Sequence, residues 1–305
     1  MQGKSVRLIR GLRRDKYLLL MMAPGLLYFV LFRYVPMGGL LIAFQDYDIF
    51  RGFWNSKWVG FAHFRAIFAL SDFWHVVRNT LLISLYKLLF GFPVPIVLAI
   101  LLNELKLALF KRVTQTLLYL PHFISWVVLG GIMLNLLSPN YGIVNDIIVF
   151  FGGEKINLLA STTYFRSILV ASDIWKNAGW GTILYLAALT QVDPTLYEAA
   201  VVDGAGKWRQ MWHITLPAIA SVVILLLILD IGRLLNAGFE QILVLQNPIV
   251  RDISDVFETY VYRVGLGKGD YSVSSAVDLF KSVVALFLIV SAHKASKRFG
   301  QEGIT

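Results

Sequence analysis

Six apolar runs divide this chain, each near the length a helix needs to cross a hydrocarbon layer. They cover roughly residues 17–44, 76–103, 113–137, 166–190, 214–242 and 274–293. A transmembrane helix takes about 20 predominantly apolar residues. Backbone N–H and C=O groups find no partner in lipid, so such runs are helices. The sequence therefore predicts an all-α, polytopic membrane protein with six transmembrane helices. At 57% hydrophobic and 15% charged, the chain does not resemble a soluble domain of its size. The first run is too long for a cleaved leader and lacks a small-residue cleavage site. Three segments are expected: a basic N-terminal segment over 1–16, a span domain over 17–293 with a polar loop at 191–213, and a tail over 294–305.

Charge orients this topology. The net charge of +9 could point to nucleic acid, but positive-inside bias supplies the same excess in a membrane protein, so no nucleic-acid partner is expected. Fourteen Lys and Arg fall in the N-terminus, 106–112, 207–209 and 294–298, against seven in the alternate loops. That asymmetry places both termini in the cytoplasm. The N-terminal segment reads either as a helix on anionic lipid or as an unstructured basic tail. Residues 45–75 are dense in aromatics, among them Phe50, Trp54, Trp58 and Trp74, as an outer interfacial segment is; an external partner is the other use. Pro24 and Pro36 are expected to bend the first span, and Pro93 and Pro95 to kink the second.

The loop between the fourth and fifth runs has its own grammar. Asp193 before Pro194 suits an N-cap followed by proline at the first helical position. A short helix follows, and Gly204 is placed to end it, since glycine takes a positive φ cheaply. A second short helix through Lys207, Trp208, Arg209 and Trp212 leads into Leu216-Pro217. Read on composition alone, this is a helical elbow lying at the membrane surface.

The elbow also resembles the signature loop of membrane subunits of bacterial binding-protein-dependent ABC importers. The match is Glu198, Ala199, Ala200, Gly204, Ile214, Leu216 and Pro217, with spacing unbroken. The resemblance implies a coupling helix that docks into a cleft of an ATPase subunit, with Glu198 and Gly204 fixing its shape and docking, Ala199 and Ala200 allowing close approach, and Asp203 among the coupling residues.

Polar residues inside spans are costly and mark function by default. Asp230, Arg233, Asn236 and Glu240 fall within an arc of about 120° if the fifth span is one helix. Asp173, Lys176, Asn177 and Trp180 share a face of the fourth, and Asp278, Lys281 and Ser282 one of the sixth. On the second, Asn79 and Tyr86 share a face, with Arg78 and Lys87 to its sides. Such a set suits a polyhydroxylated ligand: amides and charges pair with hydroxyls, an indole stacks on a sugar ring, and Arg233 can hold a carboxylate bidentately. The alternatives are i,i+3 ion pairs (Asp230 with Arg233, Asp173 with Lys176, Asp278 with Lys281) or an interface with a partner subunit.

No phosphate loop, nucleophile elbow or histidine pair at ligand spacing is present, so neither catalysis nor a metal is expected here. The absence of cysteine excludes a disulfide framework. Further stretches resemble the carbohydrate branch of the importer family: Trp58-Val59-Gly60-Phe61, Tyr119 to Ser125, Tyr141 to Asn145, Ile174-Trp175-Lys176, Gly238 to Ile242 and Tyr260 to Leu266. Together they are similar to permeases for alginate and other polysaccharide fragments. Asp278 departs from the pattern, standing where a glycine is expected. The resemblance implies a six-span core, a heterodimer with a second homologous permease, two ATPase subunits that bind ATP and Mg, an extracytoplasmic binding protein and an oligosaccharide solute. Competing expectations are a neutral oligosaccharide or polyol as solute, or a stand-alone channel or scaffold.

Overall fold

The computed structural model describes residues 15–298. The basic N-terminal segment before Asp15 and the tail after Arg298 lie outside the described residues. Among the described residues three helices are long and apolar enough to cross a membrane: Lys16–Phe44, Ser71–Glu104 and Tyr271–Lys294. Two bent pairs, Ala108–Phe123 with Trp126–Leu136 and Lys207–Ala218 with Ala220–Gly232, bring the number to five when each pair is counted as one broken span. Phe165–Leu189 is the sixth helix of the expected plan. It has 25 residues, enough for about 37 Å, but carries Arg166, Asp173 and Lys176, which lower its apolar character. Numbered in chain order by the expected plan, these are called the first to sixth spans, Phe165–Leu189 being the fourth. Beside the helices stands one antiparallel pair of two-residue strands, Gln45–Asp46 with Lys57–Trp58.

Wide helical turns precede three of the prolines. Pro24 lies within the unbroken helix Lys16–Phe29. Turns with i→i+5 bonding at Val30–Tyr34, Lys87–Gly91 and Met211–Thr215 stand just before Pro36, Pro93 and Pro217, and a fourth, Tyr262–Leu266, has no proline after it. A proline ring crowds the carbonyl four residues back and offers no N–H, so the ladder widens there.

Two expected spans are corrected. The run 113–137 is not one helix, since its halves cross at 100°. Ile124 is extended and Ser125 caps the next helix, accepting from Val128 N. The run 214–242 bends by 62° at Ile219, ends at Gly232 and resumes as the short helix Phe239–Leu245. Wheel arithmetic across Asp230 to Glu240 therefore fails.

The fourth span is the post around which the rest packs. A Cβ on Gly179 would fall 1.9 Å from Leu118 O, and one on Gly181 2.9 Å from Pro95 Cγ. These two glycines let the second and third spans close on it, the small-residue packing that membranes favour. Ile83, Leu129, Phe165, Leu169, Ile242 and Val250 belong to one buried cluster. Phe73, Val76, Phe257 and Val277 anchor a second, and Ala99, Tyr185 and Ile219 a third. Lys16–Phe29, by contrast, buries no residue.

Candidate functional site

The elbow is built as its residues require. Asp193 accepts from Thr195 N at 2.9 Å, with Pro194 first in the helix Pro194–Val202. That amide holds the Asp193 carboxyl below the usual carboxylate range. The helix ends in a Schellman pair: Ala205 N donates to Ala200 O at 2.8 Å, and Gly204 N to Val201 O at 3.0 Å. Gly204 stands at φ +75°. Gln210 Nε2 closes the corner on Ala205 O at 2.8 Å, and Tyr197 shares a hydrogen bond with Thr215 at 3.0 Å. Lys207 pairs with Glu104 at the end of the second span, 2.8 Å away. Ile214 and Leu216 are half-buried under the elbow, with Pro217 exposed.

What the elbow leaves open matters as much. Glu198, Ala199 and Asp203 are exposed and Ala200 half-buried. Val202 is 87% and Trp208 75% exposed. Glu198 makes no hydrogen bond or ion pair among the described residues, and with Tyr197, Val201 and Lys207 it lines a hollow of about 650 Å³.

A second cavity, about 560 Å³, opens between the second, fourth and fifth spans. Asp173, Asn177 and Trp180 line it from the fourth span, and Asp230, Arg233 and Asn236 from the end of the fifth. The break after Gly232 keeps the last three together although they share no helix face. Arg233 makes no ion pair or side-chain hydrogen bond among the described residues. Trp180 is half-exposed, with His122 stacked on it and Asn177 Oδ1 3.3 Å from His122 Nδ1.

Four expected cavity residues stand elsewhere. Lys176 is buried, its ammonium donating to Pro121 O at 3.3 Å, His122 O at 2.7 Å and Ile124 O at 2.5 Å. A cation at a helix C-terminus satisfies the carbonyls that the break releases. Glu240 is exposed in the helix beyond the break and lies outside the lining. Lys281 pairs with Glu258 at 2.7 Å, and Asp278 is exposed one turn before it. None of the three expected i,i+3 ion pairs forms.

Sequence reasoning set Lys87 aside, yet it lines the cavity, donating to Ala237 O at 2.8 Å and Gln241 Oε1 at 2.5 Å, with Asp173 Oδ1 at 3.4 Å. The available signal was a lysine in an apolar run ahead of Pro93. Asn79 has a structural task instead: buried, it donates to Asp252 O and accepts from Arg166 Nη2 at 2.7 Å. Among the described residues no cluster of His, Asp or Glu is placed to hold a metal ion.

A bent-helix bundle with polar side chains lining a cavity in its middle and a short helical elbow exposed at one end has the architecture of a transport subunit. Residues 91–298 match the family described as binding-protein-dependent transport system inner membrane component, and the chain belongs to that family. It is 52% identical over 301 residues to the polygalacturonan/rhamnogalacturonan transport system permease protein YteP of Bacillus subtilis, covering 99% of this chain and 94% of that one. To the protein LplB of the same organism it is 50% identical over 302 residues, with 99% and 95% covered. Among solved structures, a crystal structure of a bacterial alginate ABC transporter in complex with alginate pentasaccharide-bound periplasmic protein contains a chain 39% identical. That chain superposes with a TM-score of 0.90, covering 98% of this chain and 100% of its own length.

Proposed function

We propose that this chain is one permease subunit of an ATP-driven importer that moves an acidic oligosaccharide across the cytoplasmic membrane. The observation that carries the solute class is Arg233, a guanidinium that makes no side-chain hydrogen bond or ion pair among the described residues and stands in a cavity with Asp230, Asn177, Asn236 and Trp180. A guanidinium with its N–H groups free of hydrogen bonds among the described residues matches a uronate carboxylate, amides match ring hydroxyls, and an indole matches the apolar face of a sugar. The names of the relatives, a polygalacturonan and rhamnogalacturonan permease and an alginate importer, support the same class.

Assembly follows from surfaces that this chain leaves open. The apolar helix Lys16–Phe29 and the open side of the cavity call for a second homologous permease. The exposed Val202 and Trp208 on the elbow call for an ATPase cleft, with two such subunits binding ATP and Mg. An extracytoplasmic binding protein delivers the solute to the outer mouth. The distribution of Lys and Arg supports cytoplasmic termini and a cytoplasmic elbow. ATP-driven closure of the two ATPase subunits pulls the elbows together, and the cavity alternates between outward and inward access.

The test is uptake into proteoliposomes holding the assembled transporter, with binding protein outside and ATP inside. A galacturonate trisaccharide should enter only with ATP, and Arg233→Gln should raise its apparent KM by about tenfold, the loss of one charge-assisted pair. Uptake of neutral trisaccharides alone would refute the acidic reading. Uptake without ATP would favour a channel.

A further inference from the structure

Residues 233–238 leave the helical ladder within an apolar run, where an unpaired carbonyl is expensive. These residues bring Arg233 and Asn236 to the cavity. Ala237 is fully buried, and its carbonyl accepts from Lys87 Nζ. The same ammonium donates to Gln241 Oε1 and reaches Asp173 Oδ1. An ammonium has three N–H donors, and the protein supplies an acceptor for each. Gln241 is 0% exposed and donates onward to Leu169 O at 2.7 Å and Ser172 Oγ at 2.8 Å on the fourth span. Gly238 stands at φ +100°, and a Cβ there would lie 2.8 Å from Lys87 Nζ.

We propose that Lys87 is a positioning residue that determines solute specificity. It ties the turn through Ala237, Gly238 and Gln241 to Asp173, and so sets where Arg233 and Asn236 stand in the cavity. The inference rests on the reading of this cavity as the solute path. Lys87 does not itself bind the solute, because its donors are engaged. Without its ammonium, the Asp173 carboxylate faces the cavity unbalanced and repels an acidic solute, while the segment bearing Arg233 loses its tether.

The chain has no cysteine, so Lys87→Cys places a single thiol in it. Alkylation with 2-bromoethylamine then rebuilds an ammonium on a side chain of lysine length, and methyl methanethiosulfonate serves as the uncharged control. Uptake is measured in proteoliposomes of the assembled transporter with a galacturonate trisaccharide and a neutral trisaccharide. Lys87→Cys should raise KM for the acidic probe by about tenfold while kcat falls less than about threefold, and the neutral probe should change less. Aminoethylation should restore the acidic preference, and the uncharged reagent should not. Lys87→Met, which keeps side-chain bulk, carries the same comparison if the cysteine variant does not assemble. Wild-type KM and preference in either variant overturn the proposal. So does an equal loss for both probes that aminoethylation leaves unrepaired, which marks general packing. If the wild-type transporter moves neither probe, the solute reading itself fails before any variant is made.

Discussion

The imidazole of His122 lies flat on the indole of Trp180, with ring centroids 4.6 Å apart and planes 4° from parallel. His122 belongs to the break in the third span and Trp180 to the unbroken fourth, so the stack joins a bent element to a straight one at the cavity wall. Phe123 meets the same indole edge-on at 5.7 Å. These rings fix the orientation of the Trp180 indole at the cavity wall. Trp180→Ala should raise the apparent KM for oligosaccharide uptake by about tenfold, while His122→Ala, which only loosens the ring, should cost about threefold. Concentration-dependent uptake in proteoliposomes checks both, and a larger effect at His122 than at Trp180 would contradict the assignment.

Lys176 holds the third-span break by three carbonyls. Lys176→Met keeps the bulk and removes every donor, leaving Pro121 O, His122 O and Ile124 O without that partner. The expected loss is about 1–3 kcal/mol, the usual cost of orphaning buried polar groups. It is read as a lower midpoint of thermal unfolding in detergent. An unchanged midpoint would mean that the carbonyls find other donors.

At Gly204 a Cβ meets no atom within 4 Å, so the constraint is the backbone alone. Gly204→Ala should cost about 1 kcal/mol through its positive φ and leave transport measurable. Gly204→Trp adds bulk on the exposed elbow, and it should abolish ATP-driven uptake while the protein still inserts in the membrane. Normal uptake by the tryptophan variant would remove the coupling role.

Asp193 supplies the pH dependence of the elbow. Its carboxyl sits below the usual range because the Thr195 amide binds the charged form. A depressed folded value stabilises the helix above the unfolded pKa, and that stabilisation is lost as pH falls through the folded value. The cap is therefore complete at neutral pH and frays only in acid. Amide exchange at Thr195, corrected for intrinsic rates, should rise on acidification in wild type and not in Asp193→Asn, whose amide oxygen caps at any pH.

Much of the elbow was legible because its determinants are local. Asp193-Pro194 and Gly204 act over a few residues, and each adopts the conformation its chemistry favours. The cavity was legible in part. Asp173, Asn177, Trp180, Asp230, Arg233 and Asn236 were recognisable as polar groups in apolar runs, and all six line it. Lys176, Glu240, Asp278 and Lys281 looked the same and stand elsewhere. A helical wheel assumes a straight helix, which fails at Glu240 beyond the break after Gly232; Lys176 and Lys281 lie on unbroken helices but meet acceptors on other elements.

The apolar runs, the helical class and the capped elbow followed from sequence alone, because lipid forces backbone pairing within a segment and caps are read over one turn. Tertiary structure alone decided which acceptor each lysine meets. Lys87 joins Asp173, Ala237 and Gln241 across separations of 86, 150 and 154 residues. Lys176 reaches carbonyls 52 to 55 residues away. A buried ammonium takes whatever acceptors packing brings within hydrogen-bond reach, and nothing in the local pattern encodes that choice.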